Sequence, residues 1–320
     1  MGHHLQRPRW RQVATLVTVA LAATSASADE ERRQRAIDAD GPPSLPGLVH
    51  SDVALLFEHT FAGAVPTDPV SVQAVPGASA VAYSATWLIE MPLLPNAWYF
   101  GAAGGVAGAA VPRAGTPGSG GTAVVLANPQ LWARGIWWSE AGLAAGGGLG
   151  LVLPVPRTFS ALEAEVVRAV RVIRPADYPH YQDMALAARP FLDVRWVAGP
   201  IVLGLRQGLD VVVLARDLEE REHRADLTAV AAAFVGFEPL SALDLGLELA
   251  EVYQISADVS APACSEPCDE HRAQLTLSPS VRLEIDRTAV AVSVLFPLST
   301  PLRAEVASYF AGRLHLETRF

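Results

Sequence analysis

Charged side chains fall only on alternate positions in the last part of this chain. From residue 303 to residue 320, every Arg, every Glu and the single His have odd numbers, whereas the Leu and Phe residues have even numbers. Successive side chains of a β-strand point to opposite faces, so one face here is ionic and the other is apolar. An ionic face that carries both signs can form ion pairs between strands, or it can line a pore that selects solutes.

The same alternation in earlier segments extends this ionic face over most of the chain. For each residue on it, two interpretations are open: an ionic ladder that fills a narrow barrel, or a charged lining that selects what passes. The candidate lumen-lining residues are Glu90, Arg134, Asp193, Arg195, Arg206, Asp210, Asp244, Glu248, Arg272, Arg282, Glu284, Arg303, Glu305, Arg313, His315 and Glu317.

Two cysteines, Cys264 and Cys268, lie close together in a segment rich in proline and acidic residues. In an exported protein, such a pair is expected to form a small disulfide ring. The alternative is a metal site with Asp269 and His271 as further ligands, but one short cluster without a second Cys or His pair is a weak zinc signal. The sequence therefore predicts a disulfide and no metal site.

The sequence contains no spacing of residues that indicates catalysis. A lipid hydrolase would need a serine beside a histidine, and the chain has no G-x-S-x-G nucleophile elbow. His59 has no serine at matching parity nearby, and His315 belongs to the ionic face. Phosphate-binding and haem motifs are missing as well. We therefore predict no enzyme activity, no catalytic residue and no cofactor, with a lipid hydrolase kept as an alternative.

The length and the ending of the last strand favour a membrane barrel over a soluble periplasmic β-sandwich. The alternation over residues 303–320 exceeds the about 5–6 residues of a usual soluble strand. It ends on Phe320, with Leu316 and Leu314 at alternate positions before it and Thr318 as a weaker match. This ending resembles the C-terminal strand of Gram-negative outer-membrane β-barrel proteins. The resemblance implies that Phe320 is part of the signal read by the barrel-assembly machinery, and that the apolar faces contact outer-membrane lipid.

The start of the chain has the pattern of a secretory signal. Arg7, Arg9 and Arg11 precede an apolar run, and small residues follow up to Ala28. This pattern predicts a cleaved signal peptide over residues 1–28, with a retained N-terminal anchor as the alternative. Residues 29–49 are charged and then proline-rich, which predicts a flexible periplasmic lead-in. The outer-membrane barrel is expected over residues 50–320.

The composition also favours strands in a membrane. Hydrophobic residues make up 51% of the chain and charged residues 18%, against about 25% charged residues in soluble domains. The net charge of −9 argues against nucleic acid as a partner. The run from Met91 to Pro112 has no charge and is long enough to cross a bilayer as a helix. Its prolines and glycines instead favour two strands joined by a turn.

The order of segments predicts an all-β fold: a closed antiparallel up-and-down transmembrane barrel of twelve strands, within a range of ten to fourteen. Short turns alternate with longer loops, as in outer-membrane barrels, where the short turns are periplasmic. One helix is predicted over Ser160–Arg174, from a capping box between Ser160 and Glu163 and from apolar residues at helical spacing. It belongs to the loop from Pro156 to Ala187, and it lies either outside the barrel or in the pore mouth.

The expected function is that of a passive outer-membrane channel or transporter for small solutes. The alternative is a closed barrel with a structural or surface-interaction role and no transport. The expected partners are outer-membrane lipid, the barrel-assembly machinery during biogenesis and a small-molecule solute.

Overall fold

A computed structural model describes ten parts of the chain, and these contain nearly all of the barrel wall. They are residues 54–65, 80–111, 121–140, 142–155, 160–182, 184–214, 225–240, 242–256, 272–299 and 310–320. The predicted signal peptide and lead-in, the Cys264–Cys268 pair, and the candidates Arg303 and Glu305 lie outside these residues.

The described residues form thirteen β-strands, one α-helix and one 3-10 helix. The helices are α1 (Ala161–Ile173) and the 3-10 helix Pro175–Tyr181. The strands are β1 (Ala54–Val65), β2 (Ala80–Leu94), β3 (Trp98–Val111), β4 (Gly121–Leu126), β5 (Gln130–Glu140), β6 (Leu143–Val152), β7 (Ala185–Ala198), β8 (Ile201–Leu214), β9 (Ala225–Leu240), β10 (Leu243–Gln254), β11 (Ala273–Ile285), β12 (Thr288–Pro297) and β13 (Phe310–Arg319).

The strands form one antiparallel sheet that closes on itself, because β13 pairs with β1. β4 and β5 pair with two successive parts of β3: Val106 lies opposite Leu126, and Ala103 lies opposite Gln130. These two strands therefore share one place in the wall, and the sheet is the twelve-stranded barrel that the sequence predicts. The interruption falls at Ala127–Pro129, where the proline has no N–H group to donate to a neighbouring strand.

The connections differ in length at the two ends of the barrel. At the short-turn end, strands are joined across residues 95–97, 141–142, 199–200, 241–242 and 286–287. At the long-loop end they are joined across residues 66–79, 112–120, 153–184, 215–224, 255–272 and 298–309. This is the asymmetry of outer-membrane barrels, in which the short turns face the periplasm.

Charged side chains point into the barrel and apolar side chains point out of it. In β7, Asp193 and Arg195 are buried, whereas Val194 and Trp196 beside them are exposed. The uncharged run from Met91 to Pro112 forms the end of β2, a turn and β3. Neither helix in the described residues is long and apolar enough to cross a membrane. Exposed aromatic rings collect near the short-turn end, as in the aromatic belts of membrane proteins: Trp98, Trp137, Trp138, Trp196 and Phe237.

Candidate functional site

The loop between β6 and β7 folds back into the barrel, and we call residues 160–182 the plug. Of the two positions that the sequence left open for the helix, the structure shows the one inside the mouth. The capping box is confirmed: Ser160 Oγ accepts a hydrogen bond from the Glu163 N–H, and the Glu163 carboxylate accepts one from the Ser160 N–H. Both hydrogen bonds with Ser160 lower the pKa of Glu163. The N-terminus of the helix in the plug is therefore capped by residues of the plug itself.

One face of α1 packs against the inner wall at the long-loop end. Val166, Val170 and Ile173 are fully buried. They form a single apolar cluster with inward-facing side chains of five strands: Ala82, Ala107, Ala109, Val125, Leu295 and Ala311. Burying an apolar side chain of this size contributes roughly 1.5–3 kcal/mol. The small wall residues leave the space that the helix occupies, so the wall and the plug are complementary in shape.

The interruption between β4 and β5 is the place where the plug attaches to the wall. The Asn128 N–H donates to the carbonyl of His180 at 2.6 Å. The Asn128 amide donates from Nδ2 to the carbonyls of Pro179 at 3.1 Å and Gln182 at 2.7 Å. Because Pro129 breaks the strand here, these polar groups bind the 3-10 helix instead of a neighbouring strand. The broken strand is thus a docking site for the plug.

His180 and Arg189 join the plug to β7, which lies two strands from the broken strand. The His180 Nδ1 atom lies 3.0 Å from the Asn128 carbonyl, which only accepts, and His180 Nε2 lies 3.0 Å from Arg189 Nη1, which only donates. The neutral ring with its proton on Nδ1 satisfies both contacts. Burial and the Arg189 charge lower the pKa of His180 to about 4. The ring is therefore neutral at pH 7.

Arg189 uses its whole guanidinium group at this junction. Nε donates to Asp210 Oδ1 at 2.8 Å, Nη1 also donates to Gln130 at 3.2 Å, and Nη2 donates to the Ala176 carbonyl of the plug at 2.6 Å. One side chain of β7 therefore holds β5, β8 and the plug together.

A second ionic contact holds the tip of the plug. Arg174 pairs with Asp177, and Arg174 Nη1 donates to Thr60 of β1 at 3.3 Å. Burial by itself would raise the pKa of Asp177, but the charges of Arg174 and Arg189 outweigh it and hold that pKa below its usual range. Asp177 is thus an anion in the folded protein.

A cavity is lined by the charged wall of β2, β5, β7, β8 and β9, and Arg189, which contacts the plug, is part of its lining. It encloses about 570 Å³ of space outside the atoms, part of which is open to solvent. Its lining combines charged with apolar side chains: Glu90, Gln130, Trp132, Arg134, Arg189, Pro190, Phe191, Arg206, Asp210 and Val230. Such a mixture of a few polar groups with apolar and aromatic walls is typical of small-molecule sites.

The Glu90 carboxylate organises one side of the cavity. It accepts from Arg134 through both oxygens, with Arg134 Nε at 2.7 Å, and from Trp132 Nε1 at 2.8 Å. The Arg134 guanidinium lies over the Tyr99 ring, 4.1 Å from its centre. A Cβ at Gly101 would overlap the Trp132 ring, so the glycine leaves the space in which that indole lies.

A second ionic cluster adjoins the floor of the cavity through Arg206, which is part of the lining. Arg206 donates from Nε to Asp193 at 2.9 Å, and its guanidinium lies 5.1 Å from the centre of the Phe191 ring. Arg195 is fully buried, and its Nε lies 3.5 Å from the Asp193 carboxylate. Two arginines therefore share one aspartate.

A second cavity lies between the tip of the plug and the wall formed by β9 to β13, and it comprises about 480 Å³ of space outside the atoms, part of which is open to solvent. The candidates Glu248 and Arg313 line it, together with neutral polar groups of β11: Gln274, Thr276 and Ser278. Val230 borders both cavities. The lumen beside and beneath the plug is therefore not filled by side chains.

An ionic network occupies the short-turn end of β10, β11 and β13. Arg282 donates to Glu317 at 3.1 Å, and Arg319 donates to Glu317 at 3.0 Å and to Glu284 at 3.2 Å. Asp244 lies 3.6 Å from Arg282. This network matches an ionic ladder between neighbouring strands.

The remaining predicted residues lie apart from the cavities. His315 holds an inward position on β13 and is partly buried, Arg272 is half-buried just before β11, and Phe320 is exposed after β13. No group of three metal-ligating side chains occurs in the part of the chain that the structure describes.

The site contains residues that the pattern analysis missed. Arg189 shares the parity of Asp193 and Arg195, but Pro190 hid the start of β7 from the pattern. Trp132 has the parity of Gln130 and Arg134, yet an aromatic residue between charged ones does not by itself indicate the inner face. His180 follows the helix outside any periodic pattern, so the sequence does not indicate that it contacts the wall.

The sequence matches no protein-family model and no curated protein. The fold, in contrast, is similar to solved outer-membrane proteins. An outer-membrane channel from Pseudomonas putida F1 has a TM-score of 0.63 and 9% sequence identity, over 87% of this chain and 99% of its own. The NanC porin has a TM-score of 0.51 and 8% identity, over 83% of this chain and 100% of its own.

Identities this low show the fold alone. Together with the closed sheet, the outward apolar faces and the inward charges, the likeness defines the class. The protein has the fold of Gram-negative outer-membrane β-barrel proteins, with a polypeptide plug in its lumen.

Proposed function

We propose that this barrel is a plugged channel for small solutes, closed at its long-loop end by residues 160–182 and opened when they move. The observation that carries the proposal is the space beneath the plug. Two cavities that share Val230 adjoin the plug and are lined by charged and polar side chains. A barrel with a purely structural role would gain stability from packing this space, since interiors are normally close-packed.

The attachment of the plug supports a movable barrier. Outside its apolar face, polar contacts of the plug with the described wall centre on Asn128 and Arg189. Loops that close over sites are usually held by few contacts, because opening must cost little free energy. Movement of the plug toward the long-loop end would connect the two cavities with the outside.

The second candidate function is a closed barrel with a structural or surface-interaction role. The apolar packing of Val166, Val170 and Ile173 favours it, because an apolar face resists undocking.

Planar-bilayer recording separates the two candidates. The test compares the natural protein with a variant in which residues 160–182 are replaced by a flexible Gly-Ser linker. We expect low or intermittent conductance from the natural protein and steady, larger single-channel conductance from the variant. A barrel that stays electrically silent in both forms, while migrating as a folded barrel on unheated gels, contradicts the channel proposal and supports the structural role.

A further inference from the structure

The cavity beneath the plug carries more positive than negative charge. Arg134, Arg189 and Arg206 line it, and Arg195 lies directly behind its floor. The carboxylates near them are Glu90, Asp193 and Asp210. Four arginines against three carboxylates leave one positive charge. The nearby Arg174–Asp177 pair cancels itself, and His180 is neutral. The occupant that completes the charge balance is a monoanion.

Arg195 is the source of this excess. Its side chain is fully buried, and none of its guanidinium nitrogens has a hydrogen-bond partner among the described residues. Its Nε atom is 3.5 Å from Asp193, longer than a well-formed hydrogen bond. Asp193 already accepts from Arg206. A buried charge that is only partly compensated is costly and gives the space around it a positive potential.

The rest of the lining is apolar. The Trp132 N–H is taken by Glu90, so the indole offers the cavity its apolar ring. Phe191, Pro190 and Val230 complete this surface. A site of this kind favours a ligand that has an apolar body as well as its charge. A small inorganic anion would leave the aromatic wall without a partner.

We propose that this cavity binds a small amphipathic monocarboxylate, with its carboxylate toward Arg134 and Arg206 and its apolar body against Trp132 and Phe191. Arginine guanidinium groups fit carboxylates better than other cations do, because their donors lie in one plane. The inference deepens the proposed function by naming a substrate class, and it rests on that function for its role in transport. Binding itself does not require that the plug opens.

Three ligands with the same phenyl ring and different charges test whether the cavity prefers an anion. They are benzoate, benzyl alcohol and benzylamine, and each is added to the detergent-solubilised protein. Fluorescence of Trp132, isolated by subtracting the signal of a Trp132→Phe variant, reports occupancy. We expect benzoate to bind at least about tenfold more tightly than benzyl alcohol, and benzylamine to bind weakest. Equal affinities for the three ligands, the tightest binding for benzylamine, or no signal from benzoate at about 10 mM would overturn the proposal.

Two substitutions that change the net charge of the cavity in opposite directions test whether Arg195 is the source of the excess positive charge. Arg195→Met removes the excess and should weaken benzoate binding about tenfold, whereas Asp193→Asn adds to it and should strengthen binding. Neither should change the affinity for benzyl alcohol. Arg282→Met, at the short-turn end, is the matched control and should leave benzoate binding unchanged. Heat-modifiable gel migration checks that each variant is folded. A shift of both variants in the same direction contradicts the electrostatic argument.

The anion site and the channel can be refuted independently of each other. Benzoate binding in a barrel that never conducts would refute the channel and leave the anion site standing. Conductance from the plug-deleted barrel without benzoate binding would refute the anion site and leave the channel standing.

Discussion

Arg189 is the side chain on which the position of the plug depends most. It contacts Asp210 and Gln130 in the wall, and His180 and the Ala176 carbonyl in the plug. Hydrogen bonds that involve a charged group contribute about 1.5–3 kcal/mol each. Loss of the two contacts to the plug should therefore shift the balance between its docked and undocked positions.

The first prediction concerns Arg189. Replacing Arg189 alone would leave the buried Asp210 without its ion-pair partner, so the test is the double substitution Arg189→Met with Asp210→Leu. We expect the barrel to fold and the open probability in planar bilayers to rise about tenfold or more. Arg282→Met with Glu317→Leu, which removes an ion pair far from the plug, is the control. An open probability equal to that of the control would show that Arg189 does not hold the plug.

The second prediction concerns His180 and pH. Its pKa is about 4 in the docked plug and about 6.5 when exposed, so the undocked state binds a proton first as the pH falls. Docking is therefore strongest above about pH 6.5 and weakens between about pH 6.5 and 4. The loss reaches on the order of 2 kcal/mol at pH 5. The protection of the α1 amides against hydrogen exchange, measured relative to the intrinsic exchange rate at each pH, should therefore fall over this range.

His180→Gln supplies the control for this pH effect. Glutamine can still donate to the Asn128 carbonyl and accept from Arg189, but it does not titrate between pH 7 and 5. We expect the protection of the α1 amides in this variant, relative to the intrinsic exchange rate, to stay constant between pH 7 and 5. Asp177 and Glu163, whose pKa values are lowered, stay charged in this range. An unchanged pH response in the variant would assign the effect to another group.

At the scale of elements, the broken strand and the plug depend on each other. Ala127–Pro129 interrupts the wall and exposes backbone groups, and the 3-10 helix covers them. An edge with unpaired polar groups is unfavourable in a membrane protein, where each unsatisfied group costs several kcal/mol. Docking of the plug therefore stabilises this interruption of the wall.

The third prediction addresses the apolar face of α1. Val170→Asp places a carboxylate in the fully buried cluster of α1 and the wall, so we expect the plug to undock while the barrel persists. Trypsin should then cleave within residues 160–182 of the folded protein. Val170→Ala leaves only a small cavity, costs about 2 kcal/mol and should remain resistant. Resistance of Val170→Asp to trypsin would mean that the polar contacts hold the plug without the apolar face.

At the scale of the whole molecule, the barrel has apolar side chains outside and charged side chains inside, which is the reverse of a soluble protein. Leu203 and Leu205 on β8 are exposed, whereas Arg206 beside them is buried. This arrangement is stable only if lipid covers the outside, since an exposed apolar band of this extent would aggregate in water. The effect of a substitution on the free energy of unfolding thus depends on the face of the strand and on the depth of the residue in the bilayer.

The fourth prediction tests this depth dependence on one strand. Leu205 lies four residues from Ile201, which follows the Gly199–Pro200 turn, so it is about 10 Å deeper in the bilayer. Leu205→Arg should lower the free energy of unfolding in lipid vesicles by about 2–4 kcal/mol, and Ile201→Arg by about 0–1 kcal/mol. Urea titration monitored by tryptophan fluorescence measures both. Equal losses at the two positions would contradict a lipid-facing outer surface.

The twelve-stranded closed barrel could be predicted because alternation is a local property. Asp193, Arg195 and Trp196 show their faces within a few residues, and the Ser160–Glu163 capping box shows the start of the helix. The same reasoning missed Arg189, because Pro190 looked like the end of a loop, although a proline is tolerated where its missing N–H costs no ladder bond.

The sequence by itself determined which side chains share a face, and hence that this chain folds as a barrel with charges inside. The tertiary structure alone decided that the helix enters the lumen, that Asn128 and Arg189 hold it there, and that Arg195 shares an aspartate with Arg206. The physical reason is the distance along the chain between the partners. Periodicity constrains neighbours within one strand, whereas contacts such as Thr60 with Arg174 form only after the sheet has closed and brought remote strands around one lumen.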